Sequence, residues 1–147
     1  MTVELFGTGD EVRMREAIAL RIEVFVEEQG VPLDEEVDAH DRGDPQAVHA
    51  LVRDVDGAAV ATGRFYRRDA QTAQIGRMAV RAGARGLGAG NAILLALMTE
   101  ARKRGYAEAS LYAQLHARPF YVKAGFTAEG PLFQDAGIAH QEMKCKL

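Results

Sequence analysis

Cysteine is nearly absent: Cys145 is the only one in 147 residues. A single thiol cannot build an intramolecular disulfide framework or a Cys-based zinc site, so no metal is expected. Long apolar runs are also missing, and no stretch approaches the ~18 residues that span a bilayer. No signal-peptide pattern opens the chain, because Glu4 and Asp10-Glu11 flank only a short apolar patch. Excess positive charge is lacking too. Eighteen Lys and Arg against 21 Asp and Glu leave a net charge of −3, which argues against broad electrostatic binding to nucleic acid. The expectation from these absences is a cytoplasmic, reducing setting, with neither membrane nor nucleic acid as partner. No internal repeat or low-complexity segment breaks the chain.

What is present fits one globular domain over residues 1–147, with 48% hydrophobic and 27% charged residues. Thr2 to Phe6 reads as a strand. Asp10 is a candidate N-cap for a helix from Glu11 to about Glu27, where Met14, Ala17, Ile18, Ile22, Phe25 and Val26 recur at helical spacing. Gly30 and Pro32 stop it. Leu33 to Gln46 is an acidic loop, read mainly as solvated. Val48 to Val55 and Ala58 to Arg68 form a hairpin about Asp56-Gly57, and Thr72 to Val80 adds a third strand. A helix over Ala92 to Arg104 buries Ile93, Leu94, Leu97, Met98 and Ala101, and Gly105 ends it. A strand (Ala107 to Ala113), a short helix opened by Pro119, and strands at Phe126 to Glu129 and His140 to Leu147 complete the order. The fold class is α/β: a mixed, mostly antiparallel sheet with helices on both faces.

The stretch Arg85-Gly86-Leu87-Gly88-Ala89-Gly90-Asn91, between a strand and a helix, carries the most information. A glycine-rich turn opening a helix presents free N–H groups at the positive end of the helix dipole, a seat for phosphate. Three readings compete. No Gly-Lys-Ser/Thr closes the loop, so it is not a Walker A loop. A dinucleotide site would need an acidic residue at the end of the next strand, and Glu108 to Gln114 ends without one. A glycine turn without a ligand is the third reading.

Two signatures together resemble the GCN5-related N-acetyltransferase (GNAT) superfamily. Its Gln/Arg-x-x-Gly-x-Gly/Ala motif is matched by Arg85 to Gly90. Its downstream signature is matched by Gln114, Ala117 and Phe120-Tyr121-Val122-Lys123-Ala124-Gly125-Phe126. The segments Val24 to Pro32, Glu36-Val37-Asp38 and Gly137 to Met143 are similar to the small bacterial subgroup of ElaA-like and YjcF-like acyltransferases. The resemblance implies acetyl-CoA as co-substrate, its pyrophosphate on the backbone of Arg85, Gly86, Leu87, Gly88, Ala89, Gly90 and Asn91. It implies that the strand ending Met78-Ala79-Val80 splays from its neighbour, so that Met78 and Val80 bond the pantetheine amides. Gln114 stands where the family has Asn, and Ala89 where a bulkier aliphatic is common. The catalytic Glu that many members carry on the fourth strand is absent from Ile75 to Val80.

Transfer to an amine needs a base, an oxyanion donor and an acid for the leaving thiolate. Tyr121 is the acid that the resemblance implies. Glu28, Glu36, Asp38, His116 and His140 are base candidates, with His140 favoured because histidine titrates near neutrality and the final strand lies near the acceptor site. The expected acceptor is the primary amine of a small molecule, and the acidic loop, if it lines the cleft, favours a cationic one. A homodimer is a further expectation from the resemblance. The competing functions are a non-catalytic acyl-CoA sensor and a nucleotide-binding oxidoreductase.

Overall fold

The structure, a computed structural model, describes all residues from Met1 to Leu147. Seven strands form one sheet in the order β1-β2-β3-β4-β5-β7-β6. They are β1 (Val3–Phe6), β2 (Val48–Arg53), β3 (Ala59–Arg67), β4 (Thr72–Val80), β5 (Glu108–Gln114), β6 (Thr127–Asp135) and β7 (Ile138–Lys146). Every neighbouring pair is antiparallel except β4 with β5. The sheet is therefore mixed and mostly antiparallel, as its sequence pattern indicates.

Helices cover both faces. Helix α1 (Glu11–Arg21) is capped by Asp10, whose side chain accepts from the Arg13 N–H at 3.1 Å. Its buried Met14 and Ala17 cluster with Phe6 and Leu51 on one face of the sheet. Helix α3 (Ala89–Lys103) packs Ile93, Leu94 and Leu97 on the other face, against Ala50, Ala61, Phe65 and Ile75. Alternation along each strand supplies both faces, since neighbours such as Ala50 and Leu51 point opposite ways. Helix α4 (Arg118–Lys123) buries Tyr121 beside Phe126 and Met143.

Three elements differ from the sequence pattern. The first helix changes to wider π-helical winding over Ile22–Glu28, and its periodicity alone does not reveal this. The acidic loop contains a short helix, α2 (Leu33–Glu36), and a 3₁₀ turn (Ala39–Asp41). Strand β6 runs to Asp135, well past Glu129, because it is an edge strand that accommodates Gly130-Pro131 in a register shift. It returns through Ala136-Gly137, both at positive φ (51° and 75°), the backbone of a tight hairpin turn.

The feature that positions the site is the short contact between β4 and β5. Their parallel pairing runs only from Thr72↔Glu108 to Ile75↔Leu111. Beyond it β4 continues with β3 and β5 with β7, so the middle of the sheet opens.

Candidate active site

A cleft of about 820 Å³ occupies this opening. One wall is the free edge of β4. The Arg81 N–H donates to Val60 O on β3 at 2.8 Å, so strand alternation turns the peptide groups of Val80 and Met78 toward the cleft. Those groups have no strand partner there. Opposite Gly63, β4 carries an extra residue, and Arg77 adopts φ 52°. Gly63 makes room for this bulge: a Cβ there would lie 2.5 Å from Met78 Sδ and 2.7 Å from Ile93 Cγ2.

The glycine loop lies where β4 ends. Gly86 and Gly88 sit at φ 82° and 90°, a conformation that costs other residues strain. Gly88 is the N-cap of α3 and offers no side chain to it. The first helical N–H to find a partner is that of Ala92, which donates to Gly88 O at 3.0 Å. The amides from Gly86 to Asn91 donate to no protein group and are available to an anion.

The π-helical end of the first helix crosses the cleft mouth twice. Arg85 donates through Nη2 to both Glu28 oxygens (2.8 and 3.0 Å) and through Nε to Val80 O (2.9 Å). Gln114 donates to Gln29 Oε1 at 2.8 Å. Glu28 lies at the cleft, but its carboxylate is engaged by a guanidinium instead of standing free as a base.

Three carboxylates of the acidic loop, Glu36, Asp38 and Asp41, are ion-paired instead of solvated. Arg21, 1% exposed, donates to Glu36 Oε1 at 2.9 Å and to both oxygens of Asp41 at 2.8 and 2.9 Å. Arg64 bonds Asp38 at 2.7 and 2.6 Å and Asp41 at 2.9 Å. Arg77 reaches the Glu36 carbonyl at 3.2 Å and Asp38 at 3.3 Å. Three guanidiniums thus neutralise three carboxylates. Burial acts to raise Asp38 and Asp41, but the adjacent Arg64 and Arg21 outweigh it and hold both below the usual carboxylate range. Burial dominates at Glu36 and pushes its carboxyl up. Neither Glu36 nor Asp38 is a free base. Their role is to tie α2 and the 3₁₀ turn onto the sheet. Sequence reasoning missed Arg21 and Asp41; the available signal was an arginine three residues after Ile18, inside the apolar stripe of α1.

Tyr121 and His140 both line the cleft. The Tyr121 hydroxyl has no protein partner, and burial alone pushes its pKa up to about 12. His140 lies opposite Gln114, and Phe133 stacks on it at 5.7 Å. Its Nδ1 is 2.7 Å from the Ile138 carbonyl. A carbonyl only accepts, so Nδ1 carries the hydrogen and the neutral ring keeps a lone pair on Nε2. His116 also lines the cleft but is exposed.

Comparison with known proteins agrees with this geometry. Residues 17–147 match the family model described as "Acetyltransferase (GNAT) domain". The chain belongs to the GNAT family. In this GNAT domain the two signatures meet: Phe120 Cζ lies 3.7 Å from where a Gly90 Cβ would be. Bacillus subtilis YjcF, described as an uncharacterized N-acetyltransferase, is 35% identical over 91% of this chain and 93% of its own. The structure of an acyl-CoA N-acyltransferase from Pseudomonas aeruginosa superposes with a TM-score of 0.85 at 27% identity, covering 99% of both chains. Escherichia coli ElaA shares the GNAT fold at 23% identity, with a TM-score of 0.85 over 98% of both chains. No helix is long and apolar enough to cross a membrane.

Proposed function

We propose that this GNAT domain transfers an acetyl group from acetyl-CoA to a primary amine of a small molecule, by direct attack within a ternary complex. One observation carries the reading: a row of unpartnered amides, Gly86 to Asn91, reaches at Gly90 the cleft that the unpaired strand edge Met78 to Val80 lines. The first suits a pyrophosphate and the second a chain of amides, which is the donor and acceptor pattern of coenzyme A.

Acetyl-CoA supplies the acyl group as an activated thioester. In this reading the backbone from Arg85 to Asn91 holds the pyrophosphate, and the peptide groups of Met78 and Val80 hold the pantetheine. Arg85 leaves Val80 O to make room, and Gln114 flanks the arm. An outward amide at Met78 donates to the developing oxyanion. His140 Nε2 takes a proton from the attacking amine. As the new N–C bond forms and the C–S bond breaks, the Tyr121 hydroxyl gives its proton to sulfur. Its raised pKa keeps that proton in place throughout the neutral range.

A carboxylate-free β4 also suits an acyl-CoA sensor that does no chemistry. Thiol release from acetyl-CoA, followed with and without a panel of primary amines, separates the two. Amine-dependent release supports the transferase. Tight CoA binding with no release under any amine supports the sensor.

A further inference from the structure

The charges lining the cleft are unequal in number and in commitment. Five carboxylates (Glu28, Glu35, Glu36, Asp38 and Asp135) face three guanidiniums (Arg64, Arg77 and Arg85). Every one of the guanidiniums is ion-paired, although Arg64 Nε is buried without a hydrogen-bond partner. Arg64 is held by Asp38 and Asp41, Arg77 by Glu36 and Asp38, and Arg85 by Glu28. Glu35 and Asp135 take part in no ion pair. They come from different elements, α2 and the end of β6, and both line the same cleft.

We propose that the acceptor is an α,ω-diamine or longer linear polyamine, carrying a second ammonium group and no carboxylate. The inference rests on the acetyl-transfer reading of the cleft. A carboxylated amine would find each guanidinium already neutralised by a carboxylate of the protein. To gain one it would have to displace a carboxylate already there: Asp38 from Arg64, whose guanidinium is only 4% exposed, or Glu36, Asp38 or Glu28 from the more exposed Arg77 and Arg85. A second ammonium meets the opposite situation, two carboxylates without partners.

Asp135 is placed for this. It lies two residues beyond Phe133, which stacks on His140, so Asp135 and Phe133 share one face of the strand. One amine can lie at His140 while the other reaches Asp135, about two strand residues, or roughly 7 Å, further on. Tyr112, which also lines the cleft and packs edge-on to Phe133 at 5.4 Å, offers a ring face to a passing cation. Glu35 extends the negative surface on the opposite side, next to Arg77.

The test compares 1,4-diaminobutane, 1-aminobutane and 4-aminobutanoate as acceptors with acetyl-CoA. The expected result is a kcat/KM for the diamine at least tenfold above the other two. Asp135→Asn and Glu35→Gln, both at exposed positions, should each raise KM for the diamine several-fold. Neither should change its kcat or the kinetics with 1-aminobutane, and melting temperatures confirm the fold. Equal use of all three amines would leave acetyl transfer intact and overturn the diamine assignment alone. A preference for 4-aminobutanoate, or variants that shift diamine and monoamine alike, would do the same. No acetylation of any amine despite CoA binding overturns the transfer reading, and the diamine with it.

Discussion

Arg85 bridges the mouth of the cleft from the glycine loop to Glu28, and the same guanidinium caps the Val80 carbonyl at 2.9 Å. The open edge of β4 thereby finds a hydrogen-bond donor within the protein. The pair is half exposed, so it stabilises by no more than about 1 kcal/mol. Glu28→Gln should accordingly leave CoA affinity unchanged or tighten it by up to about fivefold, since a competitor for Val80 O is weakened. Calorimetry with CoA reads this directly. A weakening of tenfold or more would mean that Glu28 contacts the ligand.

Tyr121→Phe removes a hydroxyl that touches no protein group, so folding and CoA affinity should change little. Turnover should fall toward the lower end of the 10²–10⁴-fold that general-acid assistance typically contributes, because a thiolate is already a fair leaving group. With a pKa pushed up to about 12, Tyr121 should produce no alkaline limb in the kcat profile below about pH 11. Turnover of the variant within twofold of wild type, with chemistry rate-limiting, assigns thiolate protonation elsewhere.

The glycine loop and the strand before it were legible in the chain because their geometry is backbone geometry. Glycines at 86 and 88 mark positive φ, and a strand before and a helix after fix what they do. The ion pairs of the acidic loop were not legible. Residues Asp34 to Asp44 read as a solvated acidic loop, and only tertiary contact shows that Arg21, Arg64 and Arg77 converge on three of its carboxylates. Likewise Glu28 reads as a candidate base, whereas at the π-helical end of the first helix it pairs with Arg85, and Gln29 beside it with Gln114. Asp135 escaped notice because Gly130-Pro131 looks like the end of a strand, and an edge position permits the strand to go on.

Asp41 ties α1 to β3 through Arg21 and Arg64. Asp41→Asn should destabilise the fold by about 3–5 kcal/mol at neutral pH, because two buried guanidiniums lose their shared counter-ion. Its pKa is lower in the folded than in the unfolded state. The stabilisation is therefore fully present above the unfolded value of about 3.9 and is lost as pH falls through the folded one. The gap between wild type and variant in denaturant unfolding should begin to narrow as pH falls below about 4 and keep narrowing with further acid, and a gap independent of pH would contradict the ion pairing.

Gly63→Ala places a methyl group where Met78 Sδ and Ile93 Cγ2 already stand. Overpacking of this kind costs about 1–3 kcal/mol. Because Met78 belongs to the β4 bulge, CoA binding should weaken together with stability. An unchanged melting temperature would show that α3 and β4 yield more easily than their packing indicates.

Acetyl transfer to an amine in the cleft between β4 and β5 underlies the expectations for turnover. Its most direct test is the rate of thiol release from saturating acetyl-CoA, with and without 1,4-diaminobutane, in wild type and in His140→Gln. Release should depend on the amine and fall at least about a hundredfold in the variant, at unchanged CoA affinity. Release that is absent in wild type, or is the same in both proteins, would contradict that reading.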